Sequence, residues 1–83
     1  MIKGNGKERE MNLTQIEYFL EVAKSLNFTK AAKSLHVSQP ALSKQIANLE
    51  RDLEVLLFFR TNKAVSLTPA GAQLEKDLQV VLI

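Results

Sequence analysis

Residues 28–52, FTKAAKSLHVSQPALSKQIANLERD, constrain this chain more than any other stretch. They contain two helical patterns separated by too few residues for anything but a tight turn. Thr29 is a fitting N-cap for a short helix running through Leu35, because its hydroxyl can satisfy an orphaned N–H of the first turn. Ala31 and Ala32 are small enough to let a second helix approach closely. His36 and Val37 fill the connection. Ser38 caps the next helix, and Pro40 falls in its first turn, where a missing N–H costs little. Leu42, Ile46, Leu49 and Leu53 then recur at intervals of four, three and four, which marks one buried stripe. A short helix bracing a longer one across a tight turn is a helix-turn-helix, placed here at about 28–47.

The flanking segments complete the fold. Asn12 or Thr14 can cap a first helix, since Gln15 and Glu17 stand three residues beyond them in capping-box spacing. Leu13, Ile16, Leu20 and Ala23 form its apolar stripe, widened by Phe19 and Val22, and the helix should fade near Ser25. Val55 to Phe59 is a β-prone apolar run. Arg60 to Ala64 is turn-like, and Val65 to Leu67 can return as a strand. The five-residue apolar run is also able to prolong the third helix in part. Thr68 and Pro69 open a fourth helix. The expected fold is therefore mainly α: a winged helix-turn-helix of three helices plus a small β-hairpin wing over 11–68, followed by the start of a linker helix over 69–83. Residues 1–10, MIKGNGKERE, read as a disordered tail or an expression remnant.

Composition removes several function classes. The 83 residues suffice for one small domain, and no cysteine is present for a disulfide or thiolate metal site. The lone His36 builds neither a metal site nor a catalytic constellation. Hence no metal, no cofactor and no enzymatic activity are expected. No signal peptide or bilayer-spanning run is evident, which leaves a cytoplasmic protein without membrane contact as the expectation.

Net charge is only +2, but its distribution is uneven. From residue 22 to 49 the chain carries Lys24, Lys30, Lys33 and Lys44 and no acid; from 55 to 74 it carries Arg60 and Lys63 and no acid. The acids gather at Glu17 and Glu21, at Glu50, Asp52 and Glu54, and at Glu75 and Asp77. Such segregation suits a surface that meets phosphates, although a solvated face would also tolerate it.

With its leucines buried, the third helix turns Gln39, Pro40, Ser43, Lys44 and Ala47 outward, with Asn48 at the margin. Gln39 can pair bidentately with adenine, and Lys44 can donate to guanine or a phosphate. Ser43 can serve several bases, and Pro40 and Ala41 can touch a thymine methyl. Thr29, Lys30 and Ser38 lie at helix N-termini, which favour phosphate. Arg60 and Lys63 bracket the wing tip and suit the backbone or the minor groove. Each of these residues also has a plain reading as cap, turn or solvated face. The alternative function is a winged-helix protein-interaction module without DNA binding.

The elements FT-x-AA-x-x-L, VSQPALS-x-QI-x-x-LE, L-x-V-x-LF-x-R and V-x-LT-x-AG stand in fixed order over 11–74. Together they resemble the N-terminal DNA-binding domain of LysR-type transcriptional regulators. The resemblance implies a dimer paired through the linker helix on a partly palindromic operator. It also implies base or phosphate contacts at the positions matching Gln39, Pro40, Ser43 and Lys44, and wing contacts at those matching Arg60 and Lys63. A small-molecule inducer would act through a separate effector domain after the linker. No such domain follows here, which suggests a domain cut from a longer regulator or a naturally short one. One departure stands out. Glu54 replaces the glycine usual in the family, so the third helix should end differently or run on by a turn.

The trailing helix points to a partner on its own account. Leu74, Leu78 and Val81, continued by Leu82 and Ile83, are more apolar groups than one short exposed helix should carry. A second copy of the chain is expected to cover them, with packing on the chain's own first helix as the alternative.

Overall fold

The computed structural model describes residues 11–82, with side chains as far as Gln79; the expected tail of residues 1–10 lies outside the described residues. The element order is α1 (Leu13–Ser25), α2 (Phe28–Leu35), α3 (Gln39–Leu53), β1 (Phe58–Arg60), β2 (Val65–Leu67) and α4 (Pro69–Leu82). The strands pair antiparallel, with Phe58 opposite Leu67, Phe59 opposite Ser66 and Arg60 opposite Val65. This is the winged helix-turn-helix arrangement, with one helix added after the wing.

Local chemistry sets each helix end. Asn12 caps α1 in a full capping box: Gln15 N–H donates to Asn12 Oδ1 at 2.8 Å, and Asn12 N–H donates to Gln15 Oε1 at 3.2 Å. That reach turns the Gln15 side chain inward, where it is buried. The buried face of α1 is consequently Gln15, Phe19, Val22 and Ala23. Leu13, expected in the stripe, is 66% exposed. It lies one turn beyond the core, at the first helical position.

The start of α2 also corrects the sequence reading. Asn27, not Thr29, is the N-cap, and its Oδ1 accepts from Lys30 N–H at 2.9 Å. Asn27 has the extended backbone a cap requires, whereas Thr29 already lies inside the helix. Ser38 caps α3 as expected, accepting from Ala41 N–H at 3.2 Å. Ala31 and Ala32 are buried between the helices, and Leu42, Ile46 and Leu49 are wholly buried on the inner face of α3.

α3 stops at Glu54, which adopts the left-handed conformation with φ 59°. The helix therefore neither runs on nor finds a different ending. It keeps the glycine-type stop and carries the extra steric cost of a side chain there. The chain then turns sharply, and Glu50 Oε2 accepts from both Leu57 N–H (2.8 Å) and Phe58 N–H (3.2 Å). The Leu57 N–H is thereby taken from the ladder, whereas the Phe58 N–H faces away from β2 in any case. This explains why β1 starts at Phe58 and is shorter than the run from Val55 suggests. Arg60 belongs to the strand rather than to the turn.

Beyond the hairpin, Thr68 ties α4 to the same corner. Its hydroxyl donates to Leu56 C=O at 2.7 Å and accepts from Gly71 N–H at 2.9 Å. At Gly71 a Cβ would overlap the Leu57 carbonyl oxygen, so only glycine permits α4 to pass this close. The core joins α1, α2, α3, β1 and α4, with Phe58 against Phe19 (ring centroids 5.5 Å) and against Phe28 edge-on (5.8 Å).

Leu78 belongs to that core and is only 6% exposed, so it is not free to meet a second copy as expected. α4 packs back onto α1 and gives Leu78 an intramolecular place. Leu74 is half-buried at the edge of the core, and the side chain of Val81 lies outside the described residues.

Replacing Glu50 by alanine leaves two inward backbone donors without their acceptor. Glu50→Ala is expected to lower unfolding free energy by about 2 kcal/mol in urea denaturation, and Glu50→Gln by less, because an amide oxygen still accepts.

Candidate nucleic-acid interface

Because Leu42, Ile46 and Leu49 fix the rotation of α3, the opposite face is open. Gln39, Pro40, Ala41, Lys44 and Ala47 are exposed, and Ser43 is half-buried. Among the described residues no ion pair ties down Lys44. The small residues on this face keep the α3 backbone close to whatever lies against it. Asn48 is half-buried at the margin, and its Oδ1 accepts from Arg51 Nη2 at 2.8 Å. Asn48 is thus directed along the C-terminal half of α3.

Two other elements stand beside this face. The N-terminus of α2 presents exposed Thr29 and Lys30. Since Asn27 does the capping, the Thr29 hydroxyl is engaged by no hydrogen bond among the described residues. The wing turn closes by Thr61 N–H to Ala64 C=O (2.9 Å), and Thr61 Oγ1 accepts from Lys63 N–H and Ala64 N–H. This leaves the Lys63 side chain exposed at the tip. The start of α2, the start of α3 and the wing enclose an open, largely polar cleft, lined among others by Thr29, Gln39, Arg60 and Lys63.

Arg60 does not project freely beside Lys63. Its guanidinium carbon lies 3.8 Å from the centroid of the Phe28 ring, and Nη1 donates to Ser43 Oγ at 3.4 Å. It therefore bridges wing, α2 and α3. Lys30, Lys44, Arg60 and Lys63 thus carry positive charge around one face, on two stretches of chain (22–49 and 55–74) without a single acid. A concave, donor-rich surface with one protruding helix is shaped for a polyanion with a groove.

Sequence reasoning missed four residues that hold this surface in place. Asn27 sets the α2 terminus, Glu50 sets the start of the wing, Phe28 seats Arg60, and Gly71 admits α4. For Asn27 a signal was available, in an Asx residue three positions before Lys30. For Phe28 the aromatic-to-arginine contact spans 32 positions, and no local pattern discloses it.

Comparison with known proteins settles the family. Residues 13–72 match the family model described as bacterial regulatory helix-turn-helix protein, lysR family. The chain belongs to the LysR family. The regulator ClcR of Pseudomonas putida is 44% identical over 72 residues, which cover 87% of this chain and 24% of that protein. The Hca operon transcriptional activator HcaR of Escherichia coli is 46% identical over the same coverage. This chain therefore spans about a quarter of the length of the curated relatives it matches. Among solved structures, a LysR-family regulator from Eggerthella lenta superimposes with a TM-score of 0.79 at 46% identity, covering 83% of this chain and 99% of that one. The CbnR DNA-binding domain, solved as a DNA complex, superimposes with a TM-score of 0.82 at 42% identity, covering 87% of this chain and 83% of that one. The BenM DNA-binding domain in complex with catB site 1 DNA gives a TM-score of 0.82 at 39% identity, covering 87% and 80%.

The capping assignment has a direct test. Asn27→Ala is expected to cost about 1 kcal/mol of stability, while Thr29→Ala should change it by less than about 0.5 kcal/mol, both read from thermal unfolding.

Proposed function

We propose that this chain is the sequence-specific DNA-binding part of a LysR-type transcription regulator, with α3 in the major groove and the wing on the backbone or minor groove. The observation that carries this reading is the outer face of α3, small and polar at Gln39, Pro40 and Ser43, basic at Lys44, and flanked by Lys30, Arg60 and Lys63. The DNA complexes of the similar CbnR and BenM domains support it. A protein-docking variant of the fold would be expected to carry acidic or bulky apolar groups where Ser43 and Lys44 stand.

The work proposed for this chain is binding, with no reaction assigned. Lys30, Lys63 and the α2 terminus supply phosphate contacts and hence affinity. Gln39, Pro40, Ser43 and Lys44 supply the choice of sequence. Asn48 serves at the margin. No helix among the described residues is long and apolar enough to cross a membrane. A cytoplasmic location, where its duplex lies, is proposed along with that function.

The whole regulator is proposed to act as a homodimer through α4. With Leu78 turned inward, Leu74 is, among the described residues, the α4 side chain of the expected set that remains partly open, beside Leu53, Val55 and Ala70. Two such copies would present two α3 helices to two half-sites. An inducer would act through a part of the regulator that this chain does not span.

Fluorescence anisotropy on a duplex recovered from a random pool, repeated across a salt series, tests the reading. Binding should fall steeply with salt. Lys44→Ala should weaken binding to the selected duplex by about 1–3 kcal/mol and to random DNA by less. Lys63→Ala should weaken both equally and reduce the salt slope by about one unit. Wild-type binding that is absent, or indifferent to salt, would overturn the proposal.

A further inference from the structure

A serine hydroxyl at the surface of a recognition helix is ambiguous, because it can donate to one base and accept from another. In this protein Ser43 is not left ambiguous. Arg60 leaves β1 opposite Val65 and lays its guanidinium 3.8 Å from the centroid of the Phe28 ring. That ring is itself buried and held edge-on against Phe58 at 5.8 Å. The seat is therefore part of the core, and the exposed arginine head rests on it without any ligand. From it, Nη1 reaches Ser43 Oγ at 3.4 Å, a long contact that the stacked head does not need for its own anchorage.

We propose that Arg60 is a positioning residue that sets Ser43 as a hydrogen-bond donor toward DNA. The inference rests on the DNA-binding reading above and adds a polarity to it. A guanidinium has five N–H donors and no acceptor, so an oxygen facing it must accept. The Ser43 proton then points away from Arg60. No carbonyl takes that proton among the described residues, although a helical serine commonly returns it to the carbonyl four residues back. Ser43 thus meets the major groove with its O–H free. It favours the acceptor edges, guanine N7 and O6, adenine N7 or thymine O4, over the amino groups of cytosine and adenine, for which only one lone pair is left. The wing in this way influences which base α3 reads, without touching that base.

The test compares wild type, Arg60→Met, Ser43→Ala and the double variant on a set of duplexes that differ from the recovered sequence one base pair at a time. Arg60→Met keeps a side chain that packs on Phe28 and removes every donor; Arg60→Ala serves as a second variant, and thermal melting confirms folding of each. Wild type should prefer an acceptor-presenting base at one position by about threefold to tenfold. Both single variants should lose that same preference, and the double variant should lose no more than either. Equal weakening on every duplex with the preference intact would overturn the proposal and leave Arg60 as a phosphate contact alone. Additive losses at different positions would overturn it as well. Failure of wild type to bind any duplex would instead overturn the DNA-binding reading itself, and this inference with it.

Discussion

The geometry of the whole surface depends on one carboxylate. Glu50, in the last turns of α3, accepts from the N–H groups of Leu57 and Phe58 and so fixes where the chain goes after the helix stops. An abrupt left-handed stop at Glu54 would otherwise leave residues 55–57 with several possible courses. With the two donors held, Phe58 enters the core between Phe19 and Phe28, β1 begins at that residue, and Arg60 emerges two positions later over the Phe28 ring. The relation between wing and α3 is therefore built from the interior outward. Placing the wing backbone from the core in this way lowers what must be ordered on binding.

Much of the fold was legible from sequence, for local reasons. The Ser38 cap, Pro40 in the first turn and the 42-46-49 spacing each have one economical reading, and α3 follows it. Thr68 with Pro69 likewise marks α4 correctly. Family resemblance over 11–74 added the wing's role and the expected base-contacting positions. The misreadings fell where competing local signals needed tertiary contacts to decide them. Thr29 and Asn27 are both plausible caps, and backbone geometry chose Asn27. Val55 to Phe59 has strand propensity throughout, yet the Glu50 carboxylate takes the Leu57 N–H that would have continued the ladder. Leu13 fits the helical period of α1, yet Gln15, drawn inward by its capping box, holds the place nearest the core.

The proposed dimer and DNA faces depend on the chain differently. The proposed DNA face is held by named contacts, Arg60 to Phe28 and to Ser43. For α4, the apolar excess was read as a dimer seam, and part of it proves to be intramolecular: Leu78 closes this chain's own core. What remains open near Leu53, Val55 and Leu74 is a narrower strip, adjoining the wing corner that Thr68 and Gly71 hold together. Pairing through that strip would couple the spacing of two α3 helices to the same corner that places each wing.

The most direct measurement of the central claim is a nuclear magnetic resonance titration of the labelled chain with a recovered duplex. The account predicts that the largest amide shifts fall on residues 39–47, on 28–30 and on the wing turn at 61–64. Amides near Glu54 and Leu56, past the C-terminal end of α3, should stay in place. Shifts confined to residues 54–56, with the outer face of α3 undisturbed, would contradict it.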